Sequence, residues 1–310
     1  MKKLTIVLAG FISILFATSA PAQTPVEQAR AFQVNTAHTG SITSPGLVPP
    51  LRQKWSINFG NFISYPIIAD GRVFVTVKHS GPLYDSQVYA IDAASGAILW
   101  SFNLVGESLW SALTYENGRL FASTREGGLR RFDAATGTVI WTKSVGGPYL
   151  APPTAFQGVV YLSGSDNAWA FSQDTGNLLW KSPVAMGGDA SSPIVTDDAV
   201  YVSYYCPHVY KLNRANGAQI WTYGPNCSGA GGKTGALHNG RLYVRDAVAD
   251  YFFDSQTGSV LDTFSSPVEN VPAFSGNMGF FLHGAPRFGQ IATLEGRDQS
   301  NNNALVWSFT

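Results

Sequence analysis

Charge is scarce in this chain. Asp, Glu, Lys and Arg make up 13% of its 310 residues, and 20 basic residues balance 20 acidic ones. Soluble domains usually carry about 25% charged residues. Nucleic-acid binding draws its affinity from clustered basic charge that displaces counterions, and the sequence has no such cluster. That class is excluded. Beyond the first two dozen residues no apolar run is long enough to span a bilayer, which takes about 20 residues. No segment sustains a helical period, so α/β solenoids are disfavoured. The five histidines (38, 79, 208, 238 and 283) show no short metal-ligand spacing. What is plentiful is apolar and aromatic side chain, at 45% and 13%, together with 32 glycines. That composition collapses into a core and does not stay disordered.

The first stretch reads as an address. Lys2 and Lys3 precede the apolar run Leu4 to Phe16, and Ala20-Pro21-Ala22 supplies a small-x-small cleavage pattern. Residues 1–22 are expected to be a secretory signal peptide, with 23–50 a lead-in segment and 51–310 one repeat domain. An N-terminal membrane anchor is the rival reading, although the run is short for it. No Cys follows the run, so lipid attachment there is not indicated. Without Lys2 and Lys3, 18 basic residues face 20 acidic ones. The mature protein is expected in the periplasm or outside the cell, with no transmembrane segment.

A repeat governs the remainder. Val88 to Asp92 leads into Ser95-Gly96 and then Trp100; Phe132-Asp133 into Thr136-Gly137 and Trp141; Phe171 into Thr175-Gly176 and Trp180. Leu212-Asn213, Asn216-Gly217 and Trp221 form a fourth copy, and Phe253-Asp254, Thr257-Gly258 a fifth, with Asp262 in the Trp position. The glycines are spaced 41, 39, 41 and 41 residues apart, and the Trp position always follows by four. Between copies lies a polar turn followed by β-branched and aromatic residues, as in Asp70-Gly71-Arg72-Val73-Phe74 and Asn117-Gly118-Arg119-Leu120-Phe121. Asn-Gly and Asp-Gly suit hairpin turns because they tolerate positive φ. Each unit of about 40 residues therefore holds four short strands. That predicts an all-β fold, a β-propeller of about six four-stranded blades, in which radial repetition protects strand edges. Trp100, Trp141, Trp180, Trp221 and Trp307 are expected to dock between blades through ring packing and the indole N–H. Asp262 marks the weakest dock.

The string Asp-Ala-Ala-Ser/Thr-Gly-x-x-x-Trp at 92–100 and 133–141 resembles the tryptophan-docking repeat of quinoprotein-type (PQQ-like) β-propellers. Asn35 to Gly40 and Leu51 to Trp55 resemble the lead-in of bacterial secreted members. The resemblance covers residues 31 to 310 and speaks for the fold more than for function. It implies either quinone-dependent dehydrogenases or non-catalytic scaffolds of envelope assembly. The dehydrogenases hold calcium against the quinone, and the alcohol dehydrogenases among them stack it on a disulfide between adjacent cysteines. Here Cys206 and Cys227 are not adjacent, and the carboxylates Asp92, Asp133 and Asp254 fall in repeated turns, where they are expected to cap backbone N–H groups. No calcium constellation stands out, so no cofactor is expected.

Other chemical motifs are weak. Gly231-Gly232-Lys233-Thr234 matches the end of a phosphate-binding loop, but Cys227 stands where that loop needs Gly, and Leu237 to Val244 reads as a hairpin. His208 beside Cys206 is poor geometry for a thiol–imidazole pair. Tyr65, Trp110, Tyr149 and Lys233 escape the repeat near the inner-strand starts, and are the candidates for a binding site at the channel mouth. The leading expectation is a non-catalytic interaction module for an unknown envelope protein or ligand. The rivals are a degenerate quinoprotein, a hydrolase acting at the channel mouth, or an inactive partial chain.

Two further expectations concern connectivity. Cys206 and Cys227 follow the second and fourth strands of one blade, which end at the same rim, so a disulfide is expected between them in an oxidising compartment. Lys54-Trp55-Ser56-Ile57 reads as an outer strand ahead of six blades around 62–104, 109–145, 150–184, 190–224, 232–265 and 270–310. The sixth ends in its own outer strand, Leu305 to Phe309. Seven outer strands for six inner sets predict an incomplete, open seven- or eight-bladed ring, with a closed six-bladed ring as the alternative.

Overall fold

The computed structural model describes residues 28–42, 49–78, 85–105, 107, 113–146, 150–184, 191–204, 207–224, 234–245, 250–264, 271–283 and 291–310. The signal-peptide reading and its cleavage point lie outside these residues. The described chain folds into six four-stranded antiparallel sheets, each a simple meander, and contains no α-helix. Sheets 1 to 6 occupy residues 67–104, 113–144, 154–183, 194–223, 236–264 and 273–309. The innermost strands are Ile67–Ala69, Leu113–Glu116, Thr154–Phe156, Ile194–Val195, Ala236–His238 and Ala273–Ser275.

Local chemistry makes the turns. Asn117 and Gly118 both take positive φ, 48° and 77°, the backbone twist that joins two strands through a two-residue loop. In the outer turns Asp92 Oδ1 accepts hydrogen bonds from the amides of Ala94 and Ser95 and from Ser95 Oγ. Asp133 and Asp254 repeat the arrangement with Thr136 and Thr257. These bonds hold the carboxyls of Asp92 and Asp133 below the usual carboxylate range.

The outer strand is bent in one place in every sheet. A bulge follows the residue paired with the Trp position: Ala90 opposite Trp100, Arg131 opposite Trp141, Ala170 opposite Trp180, Lys211 opposite Trp221, Phe252 opposite Asp262 and Gly296 opposite Trp307. Bulges add twist and re-aim side chains. The indole so aimed reaches the next sheet. Trp100 Nε1 donates to Ala134 O at 3.1 Å, Trp141 to Gln173 O at 3.0 Å, Trp180 to Arg214 O at 2.9 Å and Trp221 to Ser255 O at 3.2 Å. Each ring lies on a glycine; a Cβ on Gly137 would stand 2.6 Å from the Trp100 ring.

Apolar cores fill the gaps between consecutive sheets. Phe74 and Val88 of sheet 1 pack with Tyr115, Leu120 and Phe132 of sheet 2, and comparable clusters join sheets 2 to 3, 3 to 4, 4 to 5 and 5 to 6. Each fully buried aromatic stabilises the fold by roughly 1.5–3 kcal/mol. Among the described residues no such cluster joins sheet 6 directly to sheet 1.

Two docks differ from the sequence expectation. Trp307 is 39% exposed, and among the described residues no acceptor meets its indole N–H. In the earlier sheets the Trp docks on the next sheet along the chain, and among the described residues no sheet lies against Trp307. At the fifth interface, Arg241 takes over from the missing Trp. Its Nη1 donates to Gln299 O at 3.1 Å, the carbonyl that corresponds to Ala134 O, while its guanidinium lies 4.7 Å over the Phe252 ring.

Candidate functional site

A radial array of sheets leaves the free edge of each innermost strand facing the axis. Such an edge exposes amides that need partners. The register makes Ile68, Tyr115, Ala155, Val195, Leu237 and Phe274 equivalent positions, each the second residue before its hairpin turn. Five of these amides donate to carbonyls of one N-terminal stretch. Ile68 donates to Ala29 O at 2.8 Å, Tyr115 to Arg30 O at 2.8 Å, Val195 to Thr36 O at 2.9 Å, Leu237 to Ala37 O at 2.8 Å and Phe274 to Thr39 O at 2.7 Å. The sixth, Ala155, donates to Thr114 Oγ1 at 3.2 Å, and that hydroxyl donates in turn to Arg30 O at 3.0 Å. Residues 29–39 thus form an axial strap that touches every sheet along the chain, directly or through Thr114.

The strap turns back on itself to do this. Gln33 and Val34 both have positive φ, 50° and 79°, and Val34 is held by paired backbone bonds with Ala31. Asn35 Oδ1 caps the amides of Ala37 and Thr39, each at 3.2 Å. Phe32 packs in the core of sheets 5 and 6 and meets the Tyr65 ring of sheet 1 edge-on, with centroids 5.2 Å apart. Gln33 Nε2 donates to Val271 O at 3.1 Å. The strap therefore links the first sheet to the last.

His38 is the strap's one ionisable side chain in the interior, fully buried beside Phe32. Its Nδ1 lies 3.3 Å from Gly235 O, and its Nε2 has no hydrogen-bond partner among the described residues. Burial pulls its pKa down to about 3, with the Gly235 bond opposing, so the imidazole is neutral and donates from Nδ1. A second buried group ties sheets 2 and 3. Glu116 accepts from the amides of Gln157 and Gly158 at 2.8 and 2.9 Å and from Gln173 Nε2 at 2.7 Å. All three donors satisfy one carboxylate, which makes it a staple and not a reactive acid.

Of the four residues expected at the channel mouth, only Tyr65 is described. Its hydroxyl donates to Leu113 O at 3.0 Å, and burial pushes its pKa well up. Tyr65 is packed against the strap and its hydroxyl is engaged in linking sheets 1 and 2. Trp110, Tyr149 and Lys233 lie outside the described residues, as do Cys206 and Cys227. The strands that precede the cysteines end together: Ser203 pairs with Val209, and Val209 with Tyr223.

Some PQQ-like propellers hold a quinone and a calcium ion, which need a set of convergent donors. Among the described residues no group of three His, Cys, Asp or Glu side chains stands close enough to hold a metal ion. The axis where inner strands converge is lined and bonded by the strap. The described residues do not fit the quinone–calcium pair. The same strap would have to leave before a ligand could contact those inner-strand amides.

Six radially arranged antiparallel sheets make this a β-propeller, and its Trp and turn geometry is similar to that of PQQ-like propellers. The family model described as outer membrane protein assembly factor BamB matches residues 84–223. The chain is 24% identical to tetrathionate hydrolase of Acidithiobacillus ferrooxidans over 209 residues, covering 59% of this chain and 41% of that protein. It is 25% identical to the outer membrane protein assembly factor BamB of Yersinia pestis over 150 residues, covering 43% of this chain and 38% of that protein. The chain spans about two fifths of the length of these curated relatives. In fold it is similar to a europium-containing methanol dehydrogenase, with a TM-score of 0.69 at 15% identity over 91% of this chain and 78% of that one. It is also similar to BamB from Moraxella catarrhalis, with a TM-score of 0.59 at 16% identity over 78% of this chain and 74% of that one. No helix among the described residues is long and apolar enough to cross a membrane.

Proposed function

We propose that this protein is a non-catalytic interaction scaffold of the bacterial envelope or exterior. The observation that carries the reading is the axial strap, whose carbonyls occupy the amide edge that converges on the propeller axis. A propeller whose axis is bonded to its own chain presents rims and sheet faces to its surroundings, which suits binding to another protein. Similarity to BamB over residues 84–223 supports the same reading. The mature form is assigned to the periplasm or the exterior on its Lys2–Ala22 leader pattern.

The test is reconstitution of the purified mature protein with pyrroloquinoline quinone and calcium, followed by absorbance and by dye reduction with alcohols and sugars. The scaffold reading expects no protein-bound chromophore and no dye reduction. A stoichiometric chromophore with turnover would overturn it. A second reading, hydrolysis, is favoured by the sequence match to tetrathionate hydrolase, which covers 59% of this chain against 43% for BamB of Yersinia pestis. Tetrathionate consumption by the same preparation would establish it.

A further inference from the structure

The axial strap is held chiefly through its backbone, with Phe32, Gln33 and His38 supplying its side-chain anchors. Two of its features work against the seated form. Val34 has a φ of 79°, and across it the amide of Asn35 donates to Gln33 O at 3.0 Å. That is a γ-turn of the strained hand, and a β-branched side chain fits positive φ poorly. His38 is the second. It is wholly buried, and its Nε2 meets no partner among the described residues. A proton on Nε2 would place a charge and a donor where neither is answered.

Nothing around the ring offsets such a charge. Arg30, the one charged side chain of residues 28–42, is exposed and of the same sign. Thr36, Ala37 and Thr39 are bonded to the inner strands Ile194–Val195, Ala236–His238 and Ala273–Ser275. These contribute one titratable group, His238, whose Nε2 lies 2.6 Å from Gly276 O. Phe32 meets the imidazole edge-on and leads to Tyr65 and to the core that holds Tyr243. Tyr65 donates to Leu113 O, and Tyr243 to Asp250 Oδ2 at 2.7 Å. Among the described residues no carboxylate pairs with His38, and burial and the Gly235 bond alone govern its protonation. The sheets depend on the strap far less. The apolar cores joining sheets 1 to 2, 2 to 3, 3 to 4 and 4 to 5 contain no strap residue.

We propose that residues 29–39 are an acid-released plug, which leaves the axis while the sheets stay folded and uncovers the amides of Ile68, Tyr115, Val195, Leu237 and Phe274. Five main-chain donors facing one axis are the kind of edge that accepts an extended segment of another chain. The plug acts in a scaffold and in a hydrolase alike. Above pH 6.5 the imidazole is neutral whether seated or released, and the strap stays in place. Below it the released strap takes up the proton, because only there does His38 regain its ordinary basicity. Between pH 7 and pH 5 the released fraction rises roughly 25-fold on the two protonation equilibria of His38.

The test is limited proteolysis of the full mature protein with thermolysin at pH 7 and pH 5. Cleavage between Ala31 and Phe32 is followed by mass spectrometry, each rate divided by that of the free peptide of residues 28–42 under the same conditions. Where a segment opens and recloses quickly, cleavage tracks its open population. The expected result is a roughly 25-fold faster relative cleavage at pH 5, with the sheets uncut. His38→Gln should flatten the rise to within about twofold. Val34→Gly relaxes the turn without touching the titrating group, so it should slow cleavage several-fold at both pH values and keep the native ratio between them. That variant keeps the proposal refutable if His38→Gln fails to fold. The proposal is overturned if strap cleavage does not change with pH, if His38→Gln retains the full rise, or if Val34→Gly is cleaved faster than the native protein. It is also overturned if fragments from within the sheets appear in step with the strap cut, since the strap would then leave only when the whole propeller unfolds.

Discussion

The amide of Phe274 donates to the carbonyl of Thr39 at 2.7 Å, joining the last sheet to a segment 235 residues earlier. The bond is one of five equivalents around the axis, so the strap acts on all the sheets it reaches as a common partner. Its cost of ordering is shared among interfaces that each already bury aromatic side chains.

Burial of His38 couples the strap to pH. The neutral ring has a folded pKa near 3 against 6.5 for the unfolded chain. Below pH 6.5 the unfolded state binds the extra proton, so stability is complete above that value and is lost as pH falls toward 3. The slope approaches about 1.4 kcal/mol per pH unit. Urea denaturation between pH 7.5 and pH 5 should show this fall in the native protein and a flatter profile in His38→Gln.

Gly137 and Gly118 separate two kinds of strain. Both have positive φ, 73° and 77°, but only Gly137 carries an indole on its open side. Gly118→Ala should cost about 1–2 kcal/mol from backbone conformation alone. Gly137→Ala should cost clearly more, since the Trp100 ring must also move. Paired chemical denaturation curves measure the difference.

Much of this geometry was legible in the sequence, and the reason is periodicity. Asp-Ala-Ala-Ser/Thr-Gly with Trp four residues on announces an outer turn, because only certain side chains cap that turn and only glycine accepts both its φ and the ring above it. The strap left little trace. It binds through main-chain carbonyls of Ala29, Arg30, Thr36, Ala37 and Thr39, and carbonyls are common to all residues. Glu116 was equally silent, as a lone acid next to an Asn-Gly turn reads as surface until Gln157, Gly158 and Gln173 are folded onto it. The exchange of Trp for Arg241 at the fifth interface crosses two different strands, which no spacing rule would connect.

Glu116 should prove structural. Glu116→Ala leaves the amides of Gln157 and Gly158 without their acceptor and removes one of the two acceptors of Gln173 Nε2, and is expected to destabilise by about 2–4 kcal/mol. Glu116→Gln keeps part of the acceptor capacity and should cost less. Melting temperatures of the two variants against the native protein check the order.

Cys206 and Cys227 are expected to be bridged. Their flanking strands share a rim through the Ser203, Val209 and Tyr223 pairing. Closing a loop of that size contributes about 3 kcal/mol in the chain-entropy model. Thiol titration of unfolded, unreduced protein should find no free thiol, and two per chain would refute the bridge. Reduction should lower the melting temperature.

The axial strap is the centre of the account, and residue-resolved hydrogen exchange tests it most directly. Ile68, Tyr115, Val195, Leu237 and Phe274 lie on the free, axis-facing edge of their innermost strands, where an amide without a partner exchanges quickly. With residues 29–39 seated on the axis, these five amides should be protected to the same order as interior amides such as Val160 and Val202. Exchange of the five at the rate of open strand edges, while the interior amides stay protected, would contradict it.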